Sequence, residues 1–142
     1  RVLISNMKSY RERVQRSNEN GELVADYLHE HPAVGRVWYP KYNTPHEYNL
    51  IRRNEGGYGG LVSFTLKQPR RMPKFYDALE LCKGPSLGTD FTLASPYTML
   101  AHYFELDWAE ACGVSPNLLR LSVGIEEGEA IIGALARALD LA

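Results

Sequence analysis

The clearest pattern along the chain is at its start. Leu3, Met7, Tyr10, Val14, Gly21, Val24 and Leu28 recur at spacings of three, four and seven, with Lys8, Arg11, Glu12, Arg13, Arg16, Glu19, Glu22 and Asp26 between them. That period places the apolar positions on one stripe and predicts a long helix over residues 1–30. His29-Glu30-His31-Pro32 ends it, because proline disfavours helical geometry in the residue before it. Val34 to Tyr39 reads as a short strand closed by Pro40, and Lys41 to Asn54 as a loop with at most one helical turn. After Gly56-Gly57-Tyr58-Gly59-Gly60 the period changes to two: Val62, Phe64 and Leu66 share one face, and Leu61, Ser63 and Thr65 the other. Pro73 to Leu81 is a short amphipathic helix with proline in its first turn. Lys83 to Gly88 and Phe91 to Ala94 are extended pieces, and Met99 to Cys112 is a helix stopped by Gly113. A second strand covers Asn117 to Ile125. A last helix covers Glu126 to Leu141, with Glu126, Glu127 and Glu129 at its positive end. Helices alternating with strands in this order predict an α+β domain, a small, mostly antiparallel sheet covered by helices.

Composition narrows the function. The 142 residues suit one domain, and 16 Lys+Arg against 17 Asp+Glu leave a charge of −1. No positive field is available to collect phosphates, which argues against nucleic acid as partner. No apolar run approaches the ~20 residues of a membrane span, so a membrane partner is not expected either and a cytoplasmic protein is. The two cysteines, Cys82 and Cys112, read as packed free thiols. Arg1 opens the chain without methionine and runs straight into helical period, so we expect a piece of something longer.

Arg120 carries the most chemical information. Leu119, Leu121, Val123 and Ile125 share one face of the second strand, and Arg120, Ser122 and Gly124 the other. An arginine in so apolar a strand needs an anionic partner, either a local Asp or Glu or a ligand carboxylate gripped by two parallel hydrogen bonds. Ser86-Leu87-Gly88 sits in a Pro/Gly-framed turn where a hydroxyl and backbone N–H groups can bind an anion or only complete the turn. The glycine cluster at 56–60 lacks the Gly-Lys-Ser/Thr ending of a phosphate loop and precedes a strand, so it reads as a flexible turn. The four histidines are not arranged as metal ligands, and no metal site is expected. The basic residues Lys8, Arg11, Arg13 and Arg16 read as a solvated helix face.

Ser86-Leu87-Gly88 followed by Asn117-Leu118-Leu119-Arg120-Leu121-Ser122-Val123-Gly124-Ile125-Glu126 resembles the Cys/Met-metabolism family of pyridoxal-phosphate enzymes. Cystathionine γ-synthase, cystathionine lyases, methionine γ-lyase and O-acetylhomoserine sulfhydrylase belong to that family. Arg16-Ser17-Asn18-Glu19-Asn20, His31-Pro32-Ala33-Val34-Gly35-Arg36-Val37-Trp38-Tyr39-Pro40 and Gly59-Gly60-Leu61-Val62-Ser63-Phe64 resemble further segments of its C-terminal domain. The resemblance implies a fold-type-I, aspartate aminotransferase-like enzyme, of which residues 1–142 are the C-terminal substrate-carboxylate-binding domain and residues 1–30 the long entry helix.

The resemblance also implies that Arg120 grips the substrate α-carboxylate, with Ser86 and Leu87 in the turn beside it. Two departures stand out. Thr89-Asp90-Phe91-Thr92-Leu93 puts Phe91 where the family has glutamate, and in Pro96-Tyr97-Thr98-Met99-Leu100-Ala101-His102 the histidine is displaced by one residue. The stretch from Ser86 to Trp108 looks most like fungal cystathionine γ-synthases. The implied reaction is γ-replacement of an O-acylhomoserine by cysteine to give cystathionine; a lyase or a sulfhydrylase shares the Arg and Ser positions. The five lysines, Lys8, Lys41, Lys67, Lys74 and Lys83, sit in none of the contexts of the family's cofactor lysine. The resemblance therefore implies pyridoxal 5'-phosphate in the full-length enzyme, none bound to this chain alone, and no catalytic residue in the chain. It further implies small amino-acid substrates and a homotetrameric full-length enzyme, against a monomeric or weakly associated isolated chain. From another class, a non-catalytic carboxylate-binding regulatory domain would also use Arg120.

Overall fold

The computed structural model describes residues 2–142, except for the side chains of Leu3 and Asn6, so Arg1 and the place of Leu3 on the apolar stripe lie outside the described residues. The helices are α1 (Val2–Met7), α2 (Tyr10–Glu30), α3 (Pro40–Asn43), α4 (Pro45–Ile51), α5 (Met72–Ala78), α6 (Tyr97–Ala101), α7 (Leu106–Ala111) and α8 (Gly128–Leu141). The strands are β1 (Val34–Trp38), β2 (Leu61–Leu66), β3 (Cys82–Lys83), β4 (Leu93–Ser95) and β5 (Leu119–Ser122). They form one sheet in the order β1-β2-β5-β4-β3, antiparallel except for the β3–β4 pair. This is the α+β, mostly antiparallel architecture that the pattern predicts.

The period-2 reading of β2 holds. Val62, Phe64 and Leu66 are buried, facing a core built with Leu119, Leu121, Val24, Leu28, Phe75 and Leu135. Phe64 and Phe75 meet edge to face at 5.8 Å. Helices α2, α5 and α8 cover this face, with α2 packed on β1, β2 and α8, and α5 on α8. The register puts Leu119 opposite Phe64 and Leu121 between Val62 and Ala94. Among the described residues, no helix is long and apolar enough to cross a membrane.

Several local expectations change. The helix over residues 1–30 is interrupted at Lys8–Ser9, and its apolar stripe splits in two. Gly21, Val24 and Leu28 are buried, whereas Met7, Tyr10 and Val14 are exposed, because among the described residues the sheet and α8 pack on the later turns of α2 and leave these side chains uncovered. The segment 41–54 holds α4 and most of α3, each opened by a proline at its start, instead of one turn at most. The predicted helix 99–112 is α6, a 3-10 turn and α7, ending at Gly113 with φ +83. Cys82 and Cys112 are exposed, not packed. Cys82 lies on a two-residue edge strand and Cys112 at the end of α7, where neither faces the core.

The glycine cluster is a packed seam rather than a flexible turn. A Cβ on Gly57 would lie 2.5 Å from the Asn18 Cβ, and one on Gly60 2.2 Å from the Ser17 Oγ. The Asn18 Oδ1 accepts from the Gly59 N–H at 3.0 Å, and Gly59 itself has φ +91. The run of small residues lets the backbone entering β2 lie against α2.

Candidate functional site

Arg120 lies in β5 directly between Ser63 of β2 and Ser95 of β4. Alternation puts this row on the face opposite the core. There the turn after β3 folds across the sheet. The Arg120 Nη2 donates to the carbonyl oxygens of Pro85 at 2.6 Å and Ser86 at 3.3 Å. The Gly88 N–H donates to the Ser122 Oγ at 2.9 Å, and Gly88 has φ +73, a conformation glycine adopts without strain. One strand thus anchors both sides of the Ser86-Leu87-Gly88 turn, and the two segments that carry the sequence motif meet.

Of the two partners open to Arg120, a local acid is not used: among the described residues no carboxylate lies within ion-pair distance of it. Its Nε is buried and has no hydrogen-bond partner. A buried donor left unmade costs about 1–3 kcal/mol, so a site that keeps one open is suited to an arriving acceptor. Ser86 and Leu87 are exposed beside it, Leu87 at 56%. Arg120, Ser86 and Leu87 are therefore brought together, with a cation beside an exposed turn. This set can hold an anion. It contains no nucleophile–base pair.

Sequence reasoning missed two groups here. Tyr97 places its ring 5.3 Å from the Arg120 Cζ. The local pattern gives no sign of this, but the β4–β5 register does, since Tyr97 follows two residues after Ser95, the partner of Arg120. The second is Glu126, read from sequence as a helix-start acid. Its carboxylate instead accepts from the Thr92 N–H and from the Thr92 Oγ1, and the Thr92 Oγ1 accepts from the Gly124 N–H at 3.0 Å. Glu126 fixes the segment after Phe91 to the end of β5.

The basic face of α2 is not simply solvated. Arg13 reaches Asp90 at 3.3 Å and Arg16 reaches Glu127 at 2.9 Å. Both ties pull the helix toward the same end of the sheet. The histidines are spread out: His29 stacks on Tyr42 with centroids 4.0 Å apart, and His102 pairs with Glu105. Among the described residues no group of three His, Cys, Asp or Glu could hold a metal ion.

A family model for Cys/Met metabolism PLP-dependent enzymes matches residues 2–140. Cystathionine gamma-synthase of Neurospora crassa is 49% identical over 138 residues, covering 96% of this chain and 22% of that protein. L-methionine gamma-lyase of Fusobacterium nucleatum subsp. polymorphum is 32% identical over 141 residues, covering 97% of this chain and 36% of that one. The crystal structure of cystathionine gamma synthase from Xanthomonas oryzae pv. oryzae in complex with cystathionine matches with a TM-score of 0.80 and 28% identity, over 93% of this chain and 35% of the other. The chain thus spans 22–36% of the length of these relatives.

Proposed function

Because the chain belongs to the Cys/Met metabolism family of PLP-dependent enzymes, we propose that it is the C-terminal, carboxylate-binding domain of a cystathionine γ-synthase-like enzyme. The reaction is γ-replacement. The cysteine sulfur forms a bond to Cγ of an O-acylhomoserine, the Cγ–O bond breaks, and the acyl group leaves as a carboxylate carrying away the charge of the thiolate. Arg120 holds the amino-acid carboxylate through charge-assisted hydrogen bonds, with Ser86 and Leu87 forming the wall beside it. The observation that carries this reading is the buried Arg120 Nε with no acceptor. Fixing one end of the substrate keeps the reacting carbon aligned, an effect on orientation rather than on proton transfer. The higher identity to the synthase than to the lyase, 49% against 32%, favours replacement over elimination.

The family's pyridoxal phosphate supplies an electron sink, and the residues of this chain do not fit the task of anchoring it. Lys41 is held between Glu22 and Asp26, whose hydrogen bonds keep its ammonium protonated well above the usual lysine range. Lys83 donates to the Asp77 carbonyl and lies over the Tyr76 ring. Lys8, Lys67 and Lys74 are exposed. The reading therefore puts the cofactor lysine in polypeptide outside this chain. The exposed apolar residues Val2, Ile4 and Met7 of α1, and Leu100, Phe104 and Trp108 around α6 and α7, support a covering by such polypeptide.

The test is a substrate panel on the full-length enzyme. O-Succinyl- or O-acetylhomoserine with cysteine should yield cystathionine, whereas cystathionine or methionine alone should give little keto acid. Keto-acid release from methionine as the main activity would favour the lyase reading. A sulfide-dependent activity exceeding that with cysteine would favour a sulfhydrylase. Full-length enzyme in the cytoplasm as a homotetramer belongs to the same reading, with the isolated chain monomeric or weakly associated. A tight tetramer of the isolated chain in light scattering would contradict it.

A further inference from the structure

An arginine with no counter-charge needs something else to fix its orientation. The Arg120 guanidinium is fastened at Nη2 to the Pro85 and Ser86 carbonyls, while its Nε is left without an acceptor. Its carbon lies over the face of the Tyr97 ring, with Cζ 5.3 Å from the ring centroid. That ring is itself held in place. The Tyr97 N–H donates to the Leu118 carbonyl at 3.1 Å, just before β5 begins. Its edge meets His102 at 6.1 Å, and His102 is braced by Glu105 at 2.7 Å and by Trp108 at 6.2 Å. Arg120 therefore stands at the head of a column of three rings rather than in an ion pair.

We propose that Tyr97 is a positioning residue for Arg120, standing where an acidic side chain would otherwise sit. A carboxylate partner would orient the guanidinium but would occupy its in-plane donors and cancel the charge that the substrate needs. An aromatic face attracts the cation through the ring quadrupole and leaves the in-plane N–H groups unoccupied. The ring thus fixes orientation without consuming either. This inference rests on the reading of Arg120 as the substrate-carboxylate grip and adds how that grip stays charged and aligned.

The experiment compares Tyr97→Phe, Tyr97→Leu, Arg120→Ala and the Tyr97→Leu/Arg120→Ala double variant in the full-length enzyme. Two readouts are used: KM against kcat for the amino-acid substrate, and the preference for L-norleucine over L-norleucinamide by calorimetric titration. Leucine keeps bulk and apolarity but has no quadrupole. It should raise KM about threefold to tenfold with kcat nearly unchanged, and reduce the carboxylate preference by a similar factor. Phenylalanine keeps the ring and should stay within about twofold of the parent in both. In the Arg120→Ala background the leucine substitution should add nothing, because the residue it orients is gone. Should Tyr97→Leu keep the full carboxylate preference while Arg120→Ala loses it, the positioning role is overturned and the grip stands. Should Arg120→Ala itself keep that preference, the reading beneath the proposal fails. A Phe variant as impaired as the Leu variant, or a leucine effect of equal size in both backgrounds, also overturns the proposal, since the ring would then not be acting on Arg120.

Discussion

Beyond Ser122, where β5 runs on toward α8, the polar groups close on one another. The Ser17 Oγ donates to the Val123 carbonyl at 2.7 Å, the Asn20 Nδ2 donates to the Gly124 and Glu126 carbonyls at 3.1 and 2.7 Å, and the Glu126 carboxylate accepts from Thr92. Within β5 itself, two residues before Ser122, Arg120 has a buried Nε with no acceptor. The same strand thus carries polar groups of two kinds. Those near α2 are complete within the chain and serve stability. The one facing the Ser86 turn is incomplete among the described residues, which leaves it available to an acceptor from outside the chain. Counting partners separates the two uses of polarity where residue type does not.

The comparison breaks most easily at Arg120. Arg120→Ala in the full-length enzyme should lower kcat/KM about a thousandfold, about 4 kcal/mol of transition-state binding, mainly through KM. In this chain the same substitution should move the urea-unfolding free energy by no more than about 1 kcal/mol, because losing the bonds to the Pro85 and Ser86 carbonyls is offset by removing the unmade Nε donor. Near-normal kinetics would remove the distinction between the two regions. At the complete end the effects reverse. A Cβ on Gly21 would stand 2.4 Å from the Gly59 carbonyl oxygen and 3.0 Å from the Gly60 Cα, both backbone. Gly21→Ala should therefore destabilise this chain by about 3 kcal/mol, read from urea titration by circular dichroism. Asn20→Ala strands one buried and one part-buried carbonyl and should cost about 2 kcal/mol in the same titration. A loss below about 0.5 kcal/mol would show that water completes those groups equally well.

The smallest effect concerns a complete cluster far from β5. Burial first, and the hydrogen bond to Asp26 next, push the Tyr42 hydroxyl up to about 12. The folded state holds this proton more tightly than the unfolded chain, whose tyrosine titrates near 10. The contribution is fully present below pH ~10 and is lost as pH rises toward 12. Tyr42→Phe should flatten that part of the alkaline decline in stability, and an unchanged slope would refute the assignment.

Local pattern made much of this legible. The alternation in Leu61–Leu66 and the lone arginine among leucines in Leu119–Ser122 mark the sheet faces and the candidate site strand directly. What the pattern hid depends on partners distant along the chain. The seam at Gly56–Gly60 looks locally like a flexible turn because its partners Ser17 and Asn18 lie on α2, with the Gly59–Asn18 bond spanning 41 positions. Glu126 has the spacing of a helix-start acid, and only the return of Thr92 beside it reveals its other use. Tyr97 carries no signal until the Ser95–Arg120 register is known.

The order β1-β2-β5-β4-β3 has a consequence for synthesis. Of the described strands, the last to emerge from a ribosome is the central one. Until Leu119–Ser122 is available, β1–β2 and β3–β4 are separate ribbons, each with an unpaired edge waiting for the same segment. Closure of the sheet and arrival of Arg120 are therefore a single event in the life of the nascent chain. Until then neither ribbon offers the arginine a place, and the two cannot join without setting it between Ser63 and Ser95.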